Sequence, residues 1–168
     1  MLLKLAVLVS LTGFVSALAA PQHTVPNDKQ IYLDLHNNYR AQHGASALSW
    51  NDNLASYAAK VASKCKFRHS GGIYGENLAA GVGNGYDIQR GFSSWIDESS
   101  QYSSIFPQAS HFTQVVWKGS KELGCAAHVC VDGTIFSGMG QDSVFVICEY
   151  NPPGNVMNRF LENVQALN

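Results

Sequence analysis

The sequence predicts an α+β domain whose sheet is covered on both faces. Helical spacing of apolar residues fills the first part of the chain, and β-branched and small residues fill the last part. Cys125 and Cys130 lie five apart on one expected strand. An odd offset sends two side chains to opposite sides of a strand, so both sides carry buried groups.

The first residues stand outside this domain. Lys4 precedes an apolar run from Leu5 to Val15, and Ser16, Ala17, Ala19 and Ala20 follow. A positive start, a short apolar run and small residues define a secretory signal peptide, here 1–19, and the run is too short to span a bilayer. Cleavage after Ala17 also fits. Residues 20–27 form a loose arm, 28–155 the domain and 156–168 a tail.

Asp28 to His43 reads as a helix with Ile31, Leu35, Tyr39 and Gln42 on one face, ended by Gly44. Leu48 and Trp50 anchor a short connection. Asn51 to Cys65 is a second helix, with Leu54, Ala58, Val61, Ala62 and Cys65 at helical spacing. Lys66 to Gly85 holds six glycines and reads as a long structured loop. Asp87 to Glu98 is a third helix with Ile88, Phe92, Trp95 and Ile96 inward, and Ser99 to Ser110 is a second irregular loop. His111 to Lys118 suits a short helix. Strands follow at Gly124 to Val131 and Ser143 to Tyr150, joined through a glycine-bearing turn region from Gly133 to Gly140.

Charge excludes one class of partner. Without Lys4 the chain carries 10 basic against 12 acidic side chains and no basic stripe, so nucleic acid is not expected. No later apolar stretch would serve as a membrane anchor. The four cysteines, Cys65, Cys125, Cys130 and Cys148, suit two disulfides in a secreted, extracellular chain. Of the three pairings, strand geometry disfavours only Cys125 with Cys130.

Two segments resemble signatures of the CAP superfamily, which includes pathogenesis-related protein 1. Ser110-His111-Phe112-Thr113-Gln114-Val115-Val116-Trp117 resembles the first, with Ser110 in place of the common glycine. Cys148-Glu149-Tyr150-Asn151-Pro152-Pro153-Gly154-Asn155 resembles the second, with Glu149 where Asn or Ser is usual. His36-Asn37 with Arg40, Leu48 with Trp50, His69-Ser70, Gly75-Glu76-Asn77-Leu78, Trp95 with Glu98, and Leu123-Gly124-Cys125 match further family patterns in order. The resemblance implies a three-layer α-β-α sandwich, the pairings Cys65–Cys130 and Cys125–Cys148, and a cleft lined by His69, Glu76, Glu98 and His111.

Two imidazoles and two carboxylates can hold a divalent ion such as Zn²⁺ or Mg²⁺, one not essential for folding. The same four groups can equally form a polar network that fixes the long loops. No His-Glu-x-x-His, Gly-x-Ser-x-Gly or phosphate loop is present, so the expectation is not an enzyme. A metal-dependent hydrolase stands only as a remote alternative.

Family members resembling this chain bind and export sterols or fatty acids. In yeast members the sterol site involves an aromatic loop that corresponds here to Ser99–Ser110. Tyr102, Ile105 and Phe106 would form its apolar lip, with a sterol or fatty-acid-like ligand as partner. The alternative is an extracellular protein-interaction module linked to defence or host interaction, without a lipid role.

Overall fold

The structure, a computed structural model, describes residues 28–83 and 85–165. The expected signal peptide, 1–19, and arm, 20–27, lie outside the described residues, as do the last three residues of the tail. Among the described residues no helix is long and apolar enough to cross a membrane.

Four strands form one sheet: β1 (Ser49–Trp50), β2 (Gly75–Val82), β3 (Glu122–Cys130) and β4 (Ser143–Asn151). Their spatial order is β1-β3-β4-β2. The β3–β4 and β2–β4 pairs are antiparallel, and β1 runs parallel to β3. Helices α1 (Asp28–Gln42), α3 (Ile88–Ile96) and α4 (His111–Val115) cover one face around Phe92, Trp95 and Phe112. Helix α2 (Asp52–Ala62) covers the other with Ala58, Val61 and Ala62 on Leu78, Phe145 and Ile147. The result is the expected three-layer α-β-α sandwich. Each large apolar side chain so buried contributes about 1.5–3 kcal/mol.

Both disulfides form as the resemblance implies. Cys125 and Cys148 are directly opposed across β3 and β4 on the α1/α3 side, and Cys65–Cys130 ties the end of α2 to the other side. Alternation along β3 therefore separates Cys125 from Cys130.

Three expectations need correction. The Lys66 to Gly85 loop ends early, because Gly75–Val82 is an edge strand paired with β4 along its whole length. Its glycines hid the alternation that puts Leu78 and Ala79 on opposite faces. The inward stripe of α1 is Tyr32, His36 and Arg40, continued by His43 just past its end, while Gln42 is exposed. Hydrogen bonding decides this face: His36 and Arg40 find buried polar partners, so their burial leaves nothing unsatisfied that hydropathy would penalise. The third helix gives way after Ile96 to a 3-10 turn, Asp97–Gln101, which carries Glu98.

The segment after residue 155 belongs to the packed body. Phe160, in the short helix α5 (Phe160–Asn163), meets the Trp117 ring edge-on, and Val164 is buried beside it. His43 Nδ1 hydrogen-bonds the Gln165 carbonyl at 2.6 Å.

Two close approaches set where the layers sit. At Gly124 an added Cβ would lie 2.2 Å from the Ala55 nitrogen, so only glycine lets the first turn of α2 rest on β3. At Gly75 it would lie 2.2 Å from Oε1 of Gln114, a buried amide that accepts from Gly154 N and donates to Ser120 Oγ.

Candidate functional site

Helix α4 begins at the site, and its cap explains an oddity of the sequence. Ser110, at the family's glycine position, is the N-cap: its hydroxyl accepts from Thr113 N, and Thr113 Oγ1 accepts from Ser110 N. Thr113 also donates to Asn155 Oδ1 at 2.6 Å, which joins α4 to the second signature. At the far end Arg40 donates to the carbonyls of Val115, Trp117 and Ser120. Burial lowers the Arg40 guanidinium to about 10, still a cation at neutral pH, which suits the carbonyl end of a helix.

The cap aims His111. The Glu98 carboxylate accepts from His111 N, His111 Nδ1 and Phe112 N, at 2.7, 2.7 and 3.3 Å. Across the cavity Glu76, near the start of β2, accepts from His69 Nδ1 at 2.8 Å and from Ser70 N at 2.9 Å. In each pair Nδ1–H donates to the carboxylate, which leaves Nε2 as the ring's free nitrogen and fixes the ring plane. His69 is largely exposed, whereas the Glu76 side chain is only 6 % exposed.

Glu149 stands behind Glu76, opposite it in the β2–β4 register, and is fully buried. Burial and the adjacent Glu76 carboxylate push the Glu149 carboxyl up to about 9, so it is a protonated acid at neutral pH. Glu76 Oε2 and both Glu149 oxygens are buried with no other partner, so the acid proton has Glu76 as its acceptor. Burial raises the Glu76 carboxyl, but hydrogen bonds from Ser70, Glu149 and His69 outweigh that and hold it below the ordinary glutamate value. In the sequence Glu149 stands out only as a departure from the second signature. The signal was a glutamate at an inward position between Cys148 and Tyr150.

A second support runs underneath. Asn77 Nδ2 donates to the His111 carbonyl and to Tyr150 Oη, Tyr150 donates to His36 Nε2, and His36 Nδ1 donates to the Tyr32 carbonyl. This chain of bonds joins β2, α4, β4 and α1 through the core.

All four expected cleft residues line one cavity of about 610 Å³, together with Tyr102, Phe106, Gln108 and Asn155. The expected apolar lip divides. Ile105 and Phe106 are 79 % and 77 % exposed, but Tyr102 turns inward, its ring 5.7 Å from that of Phe112. Ile105 lies outside the cavity, in an adjoining groove that Phe106 also lines.

Among the described residues no group of three or more His, Cys, Asp and Glu side chains is disposed to hold an ion. Each glutamate is engaged with its own imidazole, so the two Nε2 atoms are the nitrogens that a divalent ion would meet.

A sandwich of three layers, two disulfides and two histidine–glutamate pairs on one cavity defines the class. The chain belongs to the CAP, or cysteine-rich secretory protein, family, whose model matches residues 33–150. It is 38 % identical over 143 residues to tobacco (Nicotiana tabacum) pathogenesis-related protein 1B, covering 79 % of this chain and 80 % of that one. It is 41 % identical over 136 residues to the secreted protein PRY1 of Candida albicans, covering 79 % of this chain and 31 % of that one. The crystal structure of MpPR-1i shares the fold, with a TM-score of 0.61 at 24 % identity, over 79 % of this chain and 92 % of that one.

Proposed function

We propose that this protein is secreted and binds sterols or related small hydrophobic lipids outside the cell, without catalysing a reaction. The apolar N-terminal run, the two disulfides and the similarity to a protein named as secreted support the location. One observation carries the ligand. Phe106, on the cavity's lining, and Ile105, in the groove beside it, stand largely exposed on an uncharged loop. Two adjacent large apolar side chains held in water beside a concave site favour an apolar ligand, since covering them releases ordered water.

Tyr102 belongs to the wall that holds this loop, and changing it would disturb the Phe112 contact. The informative variant is therefore Ile105→Ser/Phe106→Ser. Titration with a fluorescent sterol should give saturable binding by the parent protein and at least about tenfold weaker binding by the variant, a difference of roughly 1.4 kcal/mol. Absence of sterol and fatty-acid binding by the parent would overturn this reading and favour the protein-interaction module.

The histidine–glutamate pairs act here as polar walls. Their carboxylates orient the imidazoles.

A further inference from the structure

The chain's near balance of charge conceals one local concentration. Lys60, Lys64, Lys66 and Arg68 are four of its 11 basic residues, and no aspartate or glutamate occurs between Asp52 and Glu76. All four are exposed, and among the described residues none of them makes an ion pair. Of the acids on neighbouring segments, Asp142 accepts from Asp132 N and Glu76 accepts from His69 and Ser70. The same stretch holds two large apolar side chains in water, Phe67 at 51 % and Ile73 at 82 % exposure.

The fold keeps this stretch in place. Lys60 lies in the last turn of α2. Cys65, at a left-handed φ of 49°, turns the chain off the end of the helix, and its disulfide to Cys130 ties that turn to β3. Arg68 N donates to the Lys66 carbonyl at 2.8 Å, a tight turn with Phe67 between its ends. The Phe67 ring rests on Phe145 at 5.6 Å, on the α2 side of the sheet. Downstream, Tyr74 meets Tyr57 of α2 edge-on at 5.4 Å, and Gly72 packs so close to the Tyr57 hydroxyl that an added Cβ would lie 2.3 Å from it. The cations and the apolar pair therefore belong to one layer, α2 and the loop that follows it.

Four unpaired cations call for an anionic partner, and Phe67 and Ile73 decide its kind. A soluble polyanion such as a sulfated sugar chain is met by the cations alone and leaves both apolar side chains in water. An anionic bilayer takes both sorts of group. Ammonium and guanidinium groups stay at the phosphates, while aromatic and aliphatic side chains enter the boundary between head groups and acyl chains. We propose that the face formed by the end of α2 and residues 64–74 docks the protein on anionic lipid surfaces. The attachment is interfacial, since no described helix is long and apolar enough to cross a membrane. It belongs to this surface and stands whether or not the cavity holds a lipid.

Co-sedimentation of the purified protein with vesicles tests it. Vesicles of phosphatidylcholine with about a third of the lipid as phosphatidylserine should retain the protein at least about tenfold more strongly than phosphatidylcholine alone, and added salt should shrink the difference. At about fivefold per cation, Lys64→Gln/Lys66→Gln should lower the partitioning at least about tenfold. Lys29→Gln/Arg90→Gln removes the same charge from α1 and α3, on the opposite face of the sheet, and should leave it within about twofold of the parent. Ile73→Ser changes an exposed side chain, so its melting curve should match the parent while its partitioning falls about threefold or more. Equal retention by the two kinds of vesicle, or equal losses in the two charge variants, would overturn the docking face. Unchanged partitioning of Ile73→Ser would overturn the insertion of its apolar groups. Retention on heparin without vesicle binding would overturn the membrane as partner and assign the patch to a sulfated glycan.

Discussion

Glu76 and Glu149 face each other across β2 and β4, one an ionised acceptor and the other a buried acid that keeps its proton. In the unfolded chain Glu149 ionises near its ordinary value of 4.5, and in the fold it stays protonated up to about 9. Between these values unfolding releases a proton, so rising pH favours the unfolded chain. Glu149→Gln keeps a donor toward Glu76 and has nothing to ionise. Its urea midpoint should gain on the parent steadily from about pH 5 to about pH 8. A gap independent of pH would show that Glu149 is not protonated in the fold.

His36 gives the opposite slope. Burial strips the imidazolium of water and Arg40 lies nearby; together they outweigh the bond to the Tyr32 carbonyl and lower His36 to about 3 from 6.5. The unfolded chain gains a proton below 6.5 that the folded one refuses. This share of stability is complete above 6.5 and is lost as pH falls toward 3. Comparing urea midpoints of the parent and His36→Gln across this range should show the parent losing more stability on acidification. Parallel curves would contradict a neutral, buried His36.

Gly124 tests the contact between α2 and the sheet. Alanine there places a methyl group 2.2 Å from the Ala55 nitrogen and 2.4 Å from Leu54 Cβ. Overpacking of this kind costs roughly 1–3 kcal/mol, and here backbone must move. Gly124→Ala should lower the melting temperature by several degrees, whereas Gly133→Ala, where nothing lies within 4 Å, should act only through its positive φ of 85°. Equal melting temperatures for Gly124→Ala and the parent would mean that the helix does not bear on this glycine.

The two crosslinks should contribute unequally. Cys65–Cys130 closes a 65-residue separation and Cys125–Cys148 one of 23, which chain entropy converts to about 4 and about 3 kcal/mol. Both are large beside the stability of an ordinary domain. Reduction in mild denaturant should lower the melting temperature strongly, and paired serine variants should rank in that order. Unchanged melting after verified reduction would contradict a structural role for the bridges.

Removal of divalent ions should change little. The described residues offer no closed ligand set, and each glutamate is already hydrogen-bonded to its own histidine. Dialysis against a chelator should leave the melting curve and sterol affinity unchanged. A large loss in either would show that an ion organises the cavity.

Local features of the chain carried the fold class, the helix–strand order, the pairing-disfavoured cysteines and, through family motifs, the four cleft residues. Periodicity and spacing are written in contiguous residues, so they can be read without coordinates. Where local patterning misled, a distant partner had decided. Tyr150 and the carbonyls at the end of α4 turned His36 and Arg40 inward in α1, and β4 made a strand of a glycine-rich stretch. Only packing could place Glu149 behind Glu76, draw Tyr102 off the lip onto Phe112, and bring Met157 and Leu161 beside Ile105. Those relationships join residues from ten to 73 positions apart. Their sign depends on burial, which the folded chain sets collectively and no single stretch encodes.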